Sequence, residues 1–125
     1  MKGSRLRGPL KVSCGSRGQE VAEYVQVAST FAARLRGLLG RRVLPQGHGL
    51  AIYPCSSIHT FCMRFPIDAI FIDKRMEVLR VYRDLPPWRV SAVIKGAWAV
   101  LELPAGSADR AGVELGGKLI FEPLG

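Results

Sequence analysis

Acidic residues are missing from the first 18 positions of this 125-residue chain, which carry Lys2, Arg5, Arg7, Lys11 and Arg17. The net charge of +8 is therefore concentrated at one end, because the other 107 residues hold 13 basic and 10 acidic groups. A near-balanced body excludes the broad basic face that neutralises nucleic-acid phosphates. Also missing is the apolar run of 7–15 residues that follows the basic start of a secretory signal, so the expected compartment is cytoplasmic. Residues 43–63 contain no Asp, Glu, Lys or Arg, yet Pro45, Pro54, Gly47, Gly49, His48 and His59 interrupt them and exclude a membrane helix. Cysteine is scarce and odd in number, with Cys14 near the start and Cys55 and Cys62 further on. No full disulfide framework can be written from three thiols, which fits a reducing setting and leaves a Cys55–Cys62 bridge open. There is no repeat, low-complexity tract, phosphate-binding glycine loop, helix-turn-helix or paired-carboxylate pattern.

What is present suits a single core: 48% apolar residues in a chain of one-domain size. The expected organisation is a basic, disordered tail over 1–18 and one domain over 19–125. The run from Glu20 to Ala28, with Val25 and Val27 alternating, reads as a strand. Ser29 or Thr30 then caps a helix over about 30–40, with Phe31, Leu35, Leu38 and Leu39 on one face and Gly40 as its stop. Pro45, Gly47 and Gly49 mark a loop. Strand chemistry follows over Leu50–Tyr53, Ile58–Met63, Ile67–Asp73, Glu77–Tyr82, Trp98–Leu103 and Lys118–Phe121. Asp73–Met76 joins two of these as a hairpin, and both faces of Ile67–Asp73 are apolar enough to be buried. Asp84–Trp88, with Pro86 and Pro87, must be a connection. Ser107 caps a helical turn over about 107–112. The fold class is α+β, mostly β: six to seven short strands in a barrel-like or folded-over sheet, covered by one helix.

The polar residues gather around the middle of the chain. His59, Thr60, Arg64 and Asp68 lie among apolar neighbours, and Cys55, His59 and Cys62 have a spacing that invites zinc. In an extended segment His59 and Cys62 point to opposite faces, while Cys55 and His59 are about 13 Å apart at ~3.3 Å per residue. A single zinc needs ligands at about 2.0–2.3 Å, so the spacing argues against it. A thiol nucleophile, Cys62 or Cys55, with His59 or His48 as base and Asp68 as orienter has the right residue types for acyl transfer. Beside Phe61, Met63 and Phe65, however, free cysteines commonly serve as small core residues. Asp68 shares a strand face with Ile70 and Ile72 and must find partners there, with Arg34, Arg64, His59 or Thr60 as candidate donors. A structural role outweighs a functional one for it. Trp88 reads as a loop anchor and Trp98 as a core residue.

Five segments carry a family resemblance: R-L-R-G-L-L-G-R at Arg34–Arg41, G-H-G-L at Gly47–Leu50, S-I-H-T-F-C-M-R-F-P-I-D-A-I-F-I-D at Ser57–Asp73, L-P-P-W-R at Leu85–Arg89 and V-L-E-L-P-A-G at Val100–Gly106. In this order they resemble the family called domain of unknown function 192, DUF192, across roughly residues 20–122. The resemblance implies a compact β-rich fold with a helix near its start, and no activity. Relatives often begin with a signal peptide or lipid anchor, so their compartment does not carry over. Where that family usually turns through Gly-Asp near its end, this chain has Gly116-Gly117.

The function expected from these residues is a non-enzymatic binding or accessory domain without a cofactor or bound metal. Its pocket would be built from Arg34, His59, Thr60, Met63, Arg64 and Asp68 and would hold a small ligand or a protein segment. The alternatives are a Cys/His-dependent hydrolase or transferase using Cys62, His59 and Asp68, and salt-sensitive nucleic-acid binding through the basic tail.

Overall fold

The computed structural model describes residues 6–124. Its elements run β1 (Leu10–Cys14), β2 (Gln19–Ala28), α1 (Phe31–Arg36), β3 (His48–Ile52), β4 (Ile67–Ile72), β5 (Val78–Leu85), β6 (Ala99–Pro104), α2 (Ser107–Ala111) and β7 (Leu119–Pro123). The seven strands form a single sheet in the order β5-β4-β6-β3-β2-β1-β7. Every neighbouring pair is antiparallel except β2 and β3. The two outer strands then approach each other. Val78 N–H donates to Gly117 O at 2.8 Å, Gly116 N–H to Val78 O at 2.9 Å and Leu119 N–H to Met76 O at 2.9 Å. The sheet is thus a curled half-barrel drawn together at one end, which shields part of both edges. The mostly β, barrel-like fold read from the residue pattern is what the chain adopts.

The curl separates two apolar layers, and strand alternation assigns residues to each. On β6, Ala99, Leu101 and Leu103 enter the barrel while Val100 faces out; on β4, Ile70 and Ile72 enter while Ile67, Ala69 and Phe71 face out. Both faces of β4 are buried over its whole length. The inner layer also takes Leu10, Val12, Val25 and the α2 residues Ala108 and Ala111. The outer layer is roofed by Leu38, Ile58 and Met63 from the segments around α1 and between β3 and β4. Each fully buried Leu, Ile or Phe contributes roughly 1.5–3 kcal/mol.

Several expectations change. Residues 10–14 are not a disordered tail: they form β1, paired with both β2 and β7. Leu10, Val12 and Cys14 alternate into the barrel, so two apolar side chains and a thiol outweigh the surrounding charge. The domain therefore begins before residue 19; Lys2 and Arg5 lie outside the described residues. Helix α1 stops at Gly37 rather than Gly40, because Gly37 takes φ 50° and ψ −126°, a conformation open to glycine. Thr30 does cap it, accepting from Ala33 N–H at 3.1 Å. Leu35 is left 64% exposed and Leu38 reaches the core from the following turn; the Phe31 side chain lies outside the described residues. Gly49 belongs to β3 rather than a loop, packed where a Cβ would stand 2.8 Å from Leu103.

The hairpin after β4 turns through Asp73, whose Oδ1 accepts from Arg75 N–H at 2.8 Å and Glu77 N–H at 3.0 Å. Residues 58–63 are not a strand. Only His59 makes a bridge, to Val90, before Met63 N–H turns back to Thr60 O and Cys62 takes φ 65°. Strand β5 continues to Leu85, so the connection starts later than Asp84. Trp98 packs against the inner layer, 5.0 Å from the Tyr53 ring, whereas Trp88 is 61% exposed on its loop.

Candidate functional site

A concavity of about 500 Å³ lies on the outer face of the sheet between α1, the loop from Pro54 to Met63, and β6. Its apolar walls include Leu38, Leu39, Ile52, Ile58, Met63 and Ala97. Its polar groups are Arg34 and Arg36 from α1, Cys55, Ser56, Ser57 and His59 from the loop, and Glu102 from β6. A cavity of this size lies within the roughly 300–1,000 Å³ range of small-molecule sites.

Glu102 is the least expected of these groups. It alternates with Leu101 and Leu103 and so faces outward, where Leu50 of β3 and Ala69 of β4 flank it directly. The roof over that face leaves it only 3% exposed. Burial pushes its carboxyl up to about 8, so at neutral pH it is largely protonated. Desolvation by burial is the cause of that shift, and among the described residues no ion pair reaches the carboxyl.

Arg34 stands on the same cavity. One Nη donates to Pro54 O at 3.1 Å, while Nε is buried without a partner, the single such side-chain atom among the described residues. Arg34 and Glu102 are not joined: among the described residues the only ion pair is Arg83 with Asp109. Both act on the Cys55 thiol from across the cavity. Burial pushes that thiol above its ordinary range; the Glu102 charge adds to the rise and Arg34 opposes it. Cys55 Sγ donates to Ser57 O at 3.1 Å. A thiol held protonated in this way is a poor nucleophile.

The residues singled out from sequence divide into two groups. Arg34, His59 and Met63 line the cavity; Thr60, Arg64 and Asp68 do not. His59 Nδ1 accepts from Phe61 N–H at 3.2 Å, and its ring packs 5.1 Å from Phe61, which stacks 5.9 Å from Trp88. Thr60 is fully buried as a clamp on the neighbouring loop. Its hydroxyl donates to Pro86 O at 2.7 Å and accepts from Arg89 N–H at 2.9 Å. Thr60→Val should therefore cost about 1–3 kcal/mol in urea unfolding, since both backbone groups lose a partner. Unchanged stability would mean that water replaces the hydroxyl. Arg64 is exposed.

Asp68 lies on the opposite, inner face of the sheet and receives none of the side-chain donors expected for it. Its Oδ1 accepts from Asp84 N–H at 2.9 Å, and Oδ2 from Gly106 N–H at 3.1 Å and Ala108 N–H at 2.9 Å. It thus caps α2 in place of Ser107, whose hydroxyl turns back to Pro104 O. A sheet separates Asp68 from His59, so these two cannot act as a catalytic pair with Cys62, which is exposed at its turn. All three cysteines are free. The extended geometry used against a zinc site does not exist at residues 58–63. Even so, among the described residues no three His, Cys, Asp or Glu side chains converge in a way that could hold a metal. His48 packs on Tyr24 instead, with ring centroids 5.2 Å apart.

Glu102, and its place on the same cavity as Arg34, were missed in the sequence. The available signal was a lone acid inside the otherwise apolar run Ala99–Pro104. Alternation alone sends such a residue to water; only the loop roof makes it buried.

Comparison with known proteins matches this architecture to one group. The model of the DUF192 family, described as an uncharacterised ACR, matches residues 12–121. A UPF0127 protein of Thermococcus sibiricus is 31% identical over 114 residues, covering 86% of this chain and 71% of its own. A UPF0127 protein of Pyrococcus furiosus is 30% identical over 109 residues, covering 83% and 91%. A crystal structure of a protein of unknown function from Novosphingobium aromaticivorans superposes with a TM-score of 0.75 at 26% identity, over 90% of this chain and 83% of that one. A putative transcription regulator from Sinorhizobium meliloti shares the fold, with a TM-score of 0.77 at 23% identity over 94% and 98%. Among the described residues no helix is long and apolar enough to cross a membrane. With residues 12–121 matched in sequence and its sheet matched in space, the chain belongs to the DUF192 family.

Proposed function

We propose that this protein is a non-enzymatic binding domain that takes a small ligand into the cavity between α1, the loop from Pro54 to Met63, and β6. The observation that carries the reading is Glu102: a buried carboxyl facing a 500 Å³ space that, among the described residues, has no ion-pair or hydrogen-bonding partner to offset its desolvation. Buried polar groups are ordinarily satisfied, and one left open on a cavity wall is available to a guest. The partnerless Arg34 Nε supports the same view. A passive role is favoured over acyl transfer because burial keeps the Cys55 thiol protonated and Asp68 is committed to three backbone amides behind the sheet. The proposal includes a cytoplasmic setting, which the three free thiols support.

The test is a fragment screen read by amide chemical shifts on isotope-labelled protein. Fragments that bind should move the amides of Arg34, Cys55, Ile58 and Ala97 together. A screen whose hits cluster elsewhere, or which yields none, overturns the reading.

A further inference from the structure

We propose, on the strength of that pocket reading, that the ligand is a free α-amino acid with an apolar side chain, its carboxylate held by Arg34 and its ammonium by Glu102. The two groups border one small volume yet do not pair with each other. Each has capacity left over. The guanidinium spends one Nη on Pro54 O, and its Nε is buried and unmatched. The Nε side of a guanidinium is suited to a planar carboxylate, which it binds through two parallel N–H bonds. The Glu102 carboxyl is buried, and among the described residues it has no ion-pair partner.

A monocarboxylic acid would satisfy Arg34 and leave Glu102 without a cation. A simple amine would do the reverse and leave Arg34 Nε unmatched. A molecule bearing both charges close together answers both at once. The remaining walls select for the side chain: Leu39, Ile58 and Met63 are apolar, and exposed Leu35 stands at the rim. Nothing in this arrangement requires a bond to be made or broken.

Binding of an ammonium requires the ionised form of Glu102, which carries its proton in the free protein at neutral pH. Capture of the ligand therefore releases that proton, and affinity should rise between pH 6.5 and 8 and then level off. The other titratable groups lining the cavity are Arg36 on α1 and Cys55 and His59 on the loop; β3 and β4 face Glu102 only with Leu50 and Ala69.

The experiment is isothermal titration of the full chain with L-leucine and L-methionine at pH 7.5. Four single-ended controls accompany them: N-acetyl-L-leucine, L-leucinamide, 4-methylpentanoic acid and isopentylamine. The amino acids should bind at least ten-fold more tightly than every control. Titrations in buffers of different ionisation heat should show close to one proton released per ligand at pH 6.5. Glu102→Gln and Arg34→Gln should each weaken leucine binding at least ten-fold while the folded circular dichroism spectrum is kept. Should a control match leucine, or Glu102→Gln leave leucine binding intact, the amino-acid assignment is wrong. If no amino acid binds but other fragments still shift the cavity amides, this assignment fails and the pocket reading survives. If neither binds, both fail.

Discussion

Asp68→Ala should lower the unfolding free energy by about 3–5 kcal/mol, an order-of-magnitude figure from roughly 1–3 kcal/mol for each buried backbone group left unpaired. Three amides depend on this carboxylate: Asp84 N–H on β5, and Gly106 and Ala108 N–H at the start of α2. The effect is large because two of the three sit where the backbone is left-handed. Asp84 takes φ 52°, a left-handed conformation uncommon for a residue with a side chain. Gly106 is also left-handed, at φ 93°, and supplies no side-chain cap of its own. Removing the carboxylate frees the end of β5 and the first turn of α2 together, and α2 contributes Ala108 and Ala111 to the inner layer. Asp68→Asn keeps one acceptor oxygen and should fall between the parent and the alanine variant. Denaturant unfolding checks both; an asparagine variant as stable as the parent would contradict the structural assignment.

Glu102→Gln should act in the opposite direction and stabilise the protein at neutral pH. The carboxyl titrates near 8 in the folded state against 4.5 in the unfolded chain. The unfolded state therefore gives up its proton first as pH rises. Stability contributed by this group is whole below pH 4.5, declines from there to about pH 8, and is flat above it. At ~1.4 kcal/mol per pKa unit the loss between pH 4.5 and 7 is on the order of 3 kcal/mol. Glutamine has the same shape and nothing to ionise, so the variant should lose this slope and melt higher than the parent at pH 8. Melting temperatures of both proteins from pH 5 to 9 provide the check. Parallel curves would show that Glu102 has a cation or a donor in solution, and would remove the basis of the pocket reading. Higher stability combined with lost ligand binding is the signature of a group kept for function rather than for the fold.

Much of the scaffold was visible in local residue choice. Thr30 as a cap, Asp73 as a turn-former and the wholly apolar β4 each act through neighbours in the chain, where spacing is a sufficient guide. Strand β1 was equally visible in the alternation of Leu10, Val12 and Cys14, but five nearby positive charges obscured it. The bend at residues 58–63 was hidden for a different reason. Thr60 is pulled inward by Pro86 and Arg89, about 26 and 29 positions away, and that pull overrides the strand preference of its neighbours.

The amino-acid sequence by itself determined the class of fold, the hairpin, the short helices and the family, since period-two patterning and turn chemistry are local properties that survive whatever the chain packs against. Only the tertiary structure decided which polar residues share a space. Asp68 and Glu102 sit on adjacent antiparallel strands one register step apart, Asp68 opposite Leu103 and Glu102 opposite Ala69. That single step sends one carboxylate through the sheet to cap a helix and the other into a cavity, because side chains alternate between faces and only one face is roofed by α1 and its loop.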